Sequence, residues 1–86
     1  MTAKDLTAFF KEHLVPSRLY AVNGSRKNRI CMEQEGGSWI VYFRDHRNRI
    51  GTVICATEAE ACARMKDEIR KVMESAYGLT WSQAAV

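Results

Sequence analysis

The sequence predicts an α+β fold: a four-stranded antiparallel meander with an N-terminal and a C-terminal helix, in the order α-β-β-β-β-α and in two layers. Three observations carry this reading. Apolar residues recur at helical spacing near each end of the chain. Four short segments rich in β-branched and aromatic residues lie between them. Turn signals at Asn23-Gly24, at Gly36-Gly37 and over 45–48 separate those segments.

Thr2 is placed to cap the first helix, and Leu6, Phe9, Phe10 and Leu14 draw its apolar stripe. Pro16 ends it, because proline disfavours helical geometry in the residue before it. The run RLYAV reads as a short strand, followed by the basic loop NGSRKN. A two-residue turn at Gly36-Gly37 fixes the next register, with Gln34 opposite Trp39, Met32 opposite Val41 and Ile30 opposite Phe43. Directly opposed residues share a face, so this set forms the core side.

Closing the turn 45–48 with Arg44 opposite Arg49 puts Ile50, Thr52 and Ile54 on that same core side. The other side then carries Ile40, Tyr42, Val53, Cys55, Arg44 and Arg49, with Glu33 and Cys31 beside them. In the last helix Thr57 and Glu60 match a capping box, and Cys62, Met65, Ile69, Val72, Met73 and Ala76 follow at helical spacing. Gly78 suits the left-handed position that ends a helix, with Leu79 packing back on it. Residues 1–78 thus read as one domain and 79–86 as a loosely ordered tail in which Trp81 is the residue able to dock.

A chain of 86 residues has room for one small core. Hydrophobic residues at 47% and charged residues at 27% are globular proportions, which sets aside disorder and fibrous repeats. The N-terminal stretch interrupts its apolar pattern with Asp5 and Glu12, which argues against a signal peptide or a membrane span. Cys31, Cys55 and Cys62 are odd in number and show no framework spacing, so reduced thiols and a cytoplasmic location are expected. The net charge is +3, and Arg18, Arg26, Lys27, Arg29, Arg44, Arg47 and Arg49 share their window with only Glu33, Glu35 and Asp45.

The chemistry-bearing residues form no recognisable catalytic or metal pattern. His13, His46 and the three cysteines lack metal-ligand spacing, so no metal and no cofactor is expected. Neither histidine has an evident carboxylate to orient it beside a nucleophile, so the chain reads as a non-enzyme. The mixed apolar and basic second face instead suggests a protein-binding surface, since tyrosine and arginine are the types that anchor interfaces. The expected contacts are Tyr42, Arg44, Arg47 and Arg49, supported by Ile40 and Glu33. The exposed side of the last helix, with Arg64, Lys66, Asp67, Arg70 and Lys71, is the rival surface, and homodimerisation through the same sheet patch is another use of it.

The segments YAVNG, ICMEQEGGSWIVYFRDHRN and TEAEACARM resemble the pattern of small bacterial immunity proteins from polymorphic toxin and contact-dependent inhibition systems. The matching positions are Tyr20, Gly24, Cys31, Met32, Glu33, Trp39, Val41, Tyr42, Asp45, Thr57, Glu58, Ala61 and Cys62. They span roughly two thirds of the chain; the family turn often reads Glu-Arg-Gly where this chain has Asp45-His46-Arg47. The resemblance implies a cytoplasmic inhibitor that plugs a cognate toxin domain, and the basic balance then points to a target with an acidic groove.

The alternative is a nucleic-acid-binding domain that uses the basic strands and loop. The helix-sheet-helix order is similar to that of double-stranded RNA-binding domains. That family places lysines at the start of its last helix, where this chain has Glu58 and Glu60.

Overall fold

The computed structural model describes residues 1–78 and 81. Its elements run α1 (Ala3–Glu12), a short 3-10 turn (Ser17–Leu19), β1 (Tyr20–Val22), β2 (Arg29–Glu35), β3 (Ser38–Arg44), β4 (Arg49–Cys55) and α2 (Glu58–Tyr77). The strands form one sheet in the order β1-β2-β3-β4, and α2 packs on one face of it beside α1. The α+β architecture is the one the sequence predicts.

Thr2 caps α1 and Asp5 returns the bond to the Thr2 amide, so both halves of a capping box are made. At the other end Val15 N–H donates to the Phe10 carbonyl and Leu14 N–H to the Lys11 carbonyl, a Schellman motif. Its left-handed position is held by Leu14, at φ 57°. This corrects the predicted stripe: Leu6 and Phe10 are buried, but Leu14 is 84% exposed and Val15 takes the core place. The reversal at Leu14 turns its own side chain out and the next one in.

In α2, Thr57 accepts from Glu60 N–H, while the Glu60 carboxylate reaches the amide of Ala56 and not that of Thr57. Ala61, Cys62, Met65 and Ile69 are buried, Val72 and Met73 partly so, and Ala76 is exposed. Gly78 closes the helix at φ 68°. The Glu58 carboxylate accepts from Ala3 N–H at 2.7 Å, tying the two helix starts together with a negative charge at the positive end of α1. Trp81 lies edge-on to Phe9, at 5.2 Å between ring centroids, and also meets His13. The expected packing of Leu79, and the rest of the 79–86 tail, lie outside the described residues.

The β2-β3 register is the predicted one, from Arg29 opposite Arg44 to Glu35 opposite Ser38. Two features of the sheet depart from the prediction. First, β1 pairs with β2 in parallel, Tyr20 with Ile30 and Val22 with Met32, so the sheet is not a pure meander. A three-residue strand is only about 10 Å long, and a six-residue link can run back that distance. Asn23 and Asn28, at φ 65° and 59°, make the two reversals that this path needs.

Second, β4 carries a bulge. Phe43 faces Ile50 but Val41 faces Val53, so Gly51 and Thr52 together oppose Tyr42, with Gly51 at φ 65°. The extra residue inverts every side chain after it. Val53 and Cys55 therefore enter the core with Val41 and Trp39, and Ile54 joins Ile40 on the outer face at 73% exposure. The predicted placement of Thr52 and Ile54 on the core face is corrected accordingly. Phe43 and Ile50 have the expected parity yet remain 40% and 51% exposed. They line a groove of about 330 Å³ walled by Arg64 and Glu68.

Leu14 and Gly51 make opposite use of the same backbone region. Leu14→Gly should raise stability by about 1 kcal/mol, because it removes a left-handed penalty and no buried contact. Gly51→Ala should lower it by about 1 kcal/mol, a purely conformational cost since nothing would touch the added carbon. Urea midpoints of the two variants against the parent check both signs.

Candidate partner-binding face

The outer face of the sheet holds a second, smaller cluster of buried residues: Ala21, Cys31, Ile40 and Tyr42. Among the described residues no helix covers them; the loop 23–28 crosses this face on its way from β1 to β2. The Cys31 thiol donates toward the Arg26 carbonyl at 3.4 Å, and Ser25 Oγ lies 2.9 Å from the Tyr42 hydroxyl. Arg44 Nη1 donates to the same Ser25 oxygen at 3.1 Å. The loop is thus pinned by three outer-face side chains.

Tyr42 is the centre of this network. Its hydroxyl donates to the Glu33 carboxylate, which leaves the Ser25 hydroxyl as donor to the phenol oxygen. The Arg49 guanidinium lies 4.9 Å from the centroid of the Tyr42 ring, donates to Glu35 at 2.7 Å and stands 3.9 Å from Glu33. Burial, and next the bond to Glu33, raise the Tyr42 pKa above its ordinary value. The bond to Glu35 does the same for Arg49.

This geometry corrects the expected roles of two residues. Tyr42 is 2% exposed and Ile40 5%, so neither offers surface to a partner. They form the floor, and the loop and the Arg49 guanidinium form its cover. Glu33 is committed to Tyr42 and Arg49, while Arg44, Arg47 and Arg49 remain at the surface. The sequence reading missed Ser25, Arg26, Lys27 and Arg29 as neighbours of this face, because it left the loop 23–28 without a path.

The register sets Arg29 opposite Arg44 and Arg44 opposite Arg49, three arginines in one row across three strands. Like charges directly opposed across strands are destabilising. Among the described residues, only Arg49 of this row has an ion-pair partner; Arg29 donates to the Ser17 carbonyl and Arg44 to Ser25. Arg47 extends the basic end from the β3-β4 turn, and Arg26 and Lys27 extend it from the loop. Asp45 in that turn spends its carboxylate on the amides of Arg47 and Asn48, which hold its pKa below the usual range.

The other candidates are accounted for by structure. On α2, Arg64, Asp67, Glu68, Arg70, Lys71 and Glu74 pair along the helix at three- and four-residue spacing, and the Lys66 ammonium sits 4.3 Å from the Phe9 ring centroid. His13 stacks on Phe9 at 4.1 Å, and its Nδ1 lies 2.9 Å from the Phe9 carbonyl. His46 stands in the exposed turn beside an Asp45 already occupied by backbone amides. Cys31, Cys55 and Cys62 are free and buried, and burial pushes the Cys55 and Cys62 thiols up. Cys55 lies in the main core, on the opposite side from its expected place. The described residues contain no group of three metal-ligating side chains, and no helix among them is long and apolar enough to cross a membrane.

Fold and site together define a small α+β domain with an arginine-lined sheet face built over a buried tyrosine network. No family model, curated protein or solved structure matches the chain.

Tyr42→Phe should cost about 1–2 kcal/mol through the lost bond to the Glu33 carboxylate. It should also change the alkaline limb of stability. A phenol whose folded pKa is raised contributes stability that is present below about pH 10 and lost as pH climbs through the folded value. Urea unfolding between pH 8 and 11 should therefore show a shallower alkaline decline in the variant than in the parent.

Proposed function

We propose that this protein is a non-catalytic inhibitor of the bacterial immunity type, which binds a cognate toxin domain through the basic end of its outer sheet face. The observation that carries the reading is the arginine row. Three guanidiniums across adjacent strands work against folding, and two of them lack an ion-pair partner among the described residues. A surface that sustains such a charge arrangement suits an acidic partner.

The support beneath the row favours binding over a merely solvated face. Tyr42, Ser25 and Glu33 fix Arg44 and Arg49 by hydrogen bonds, ion pairing and ring contact before any partner arrives, which lowers the ordering cost of association. On this reading Arg44, Arg47 and Arg49 supply the contacts, and Tyr42, Ile40 and Glu33 hold them in place. Three buried free thiols suit a reducing compartment, and the reading places the protein in the cytoplasm.

Nucleic-acid binding is the second reading, favoured by the convergence of Arg26, Lys27, Arg29, Arg44 and Arg47 at one end. Burial of Tyr42 weighs against it, since among the described residues that face then has no exposed aromatic ring for a base to stack on. The acidic start of α2 weighs against it as well.

Co-expression with the C-terminal domain encoded by the upstream neighbouring gene, which the proposal expects to be the toxin, tests it. Rescue of growth and a co-purifying complex are expected, and the double variant Arg44→Glu/Arg47→Glu should weaken the complex by more than about 2 kcal/mol while the fold persists. Full affinity in that variant, measured by calorimetry, overturns the assignment of the face. Micromolar binding to duplex or single-stranded RNA with a steep salt slope, and no rescue, would favour the second reading.

A further inference from the structure

The two edges of the sheet are treated differently by the fold. The β1 edge is three residues long, and Tyr20 and Ala21 there are buried. The β4 edge runs seven residues, pairs among the described residues only with β3, and is exposed at Arg49, Ile50, Gly51, Thr52 and Ile54. Natural sheets blunt such edges with proline, inward charges, bulges or covering loops. On β4 the bulge at Gly51-Thr52 protects only the first half, and the regular stretch after it carries Ile54 at 73% exposure.

We infer that this second half of β4 is a self-association site, at which a second copy of the chain adds its own β4 in antiparallel orientation about a twofold axis at Ile54. Two features on the page select a second copy. An isologous pairing centred on Ile54 sets each Ile54 against the other on the outer face and sets Val53 opposite Cys55 of the second copy. The strand also has a charge direction. Arg47 and Arg49 precede Ile54, and Glu58 and Glu60 follow it at the start of α2. Antiparallel pairing brings the basic end of each copy toward the acidic end of the other, whereas parallel pairing would set like charges together.

The contact lies along the sheet edge, so Arg44 and the loop 23–28 stay open. Ile54 therefore reports on self-association alone and Arg44 on partner binding alone, while Arg47 and Arg49 serve both, and the inference does not depend on the identity of the partner.

Sedimentation velocity on the full chain up to about 100 µM should show a monomer-dimer equilibrium in the micromolar range, weakened at high salt. Ile54→Lys should abolish the dimer, and Arg47→Glu should weaken it about tenfold. Circular dichroism verifies that both variants fold. Mild oxidation of an Ile54→Cys variant should trap a disulfide-linked dimer at low micromolar concentration, and Lys71→Cys should give none.

A parent that stays monomeric at about 100 µM overturns the inference, as does a dimer untouched by Ile54→Lys. A monomer whose partner complex is lost on Ile54→Lys would likewise overturn it, and assign the edge to the partner. Failure of the toxin co-expression with the dimer intact would fall on the proposed function alone.

Discussion

The constraint on which the rest depends is the parallel pairing of β1 with β2. A hairpin between these strands would turn off the end of the sheet and leave both faces as the strands made them. A parallel pair needs its link to travel back along the strands, and with six residues the link must lie against the sheet. Here it crosses the outer face. Cys31 and Tyr42 become buried without a second layer of helix, and Ser25 arrives where it can bond both Tyr42 and Arg44. The small domain thus gains a second apolar cluster for the length of a loop.

That loop also decides the electrostatics of the face. Tyr42 sits between an apolar floor and two kinds of charge, accepting the Arg49 guanidinium over its ring and donating a hydrogen bond to Glu33. A phenol so placed remains neutral and acts as a fixed post between a carboxylate and a cation. The surface above is then uneven. Glu33 and Glu35 offset Arg49 at one end of the row, while Arg44 and Arg29 are satisfied by a hydroxyl and a carbonyl and keep their full charge.

Much of the fold was legible in the sequence because the relevant signals are local. Helical spacing located both helices, Gly36-Gly37 set the β2-β3 register to the residue, and Arg44 does oppose Arg49. What escaped is non-local or rests on one dihedral angle. Nothing in YAVNGSRKN distinguishes a hairpin loop from a return crossing, although two asparagines able to adopt φ > 0 are consistent with the latter. Gly51 inside a strand pattern was the available sign of a bulge. The predicted contact residues came together as a group, but their depth depended on the loop. Tyr42 and Ile40 therefore proved to be foundation where surface had been expected.

The bulge has a bearing on how this chain can change over time. By inverting the side chains after Gly51, it divides β4 into two segments under unrelated demands. Val53 and Cys55 answer to the volume of the core, whereas Ile50 answers to what meets the protein from outside and Arg49 to that and to the Tyr42 ring and Glu35 beside it. Substitutions at Ile50 can accumulate with little effect on the core. One strand can thus drift toward new recognition at its exposed positions while Val53 and Cys55 stay anchored.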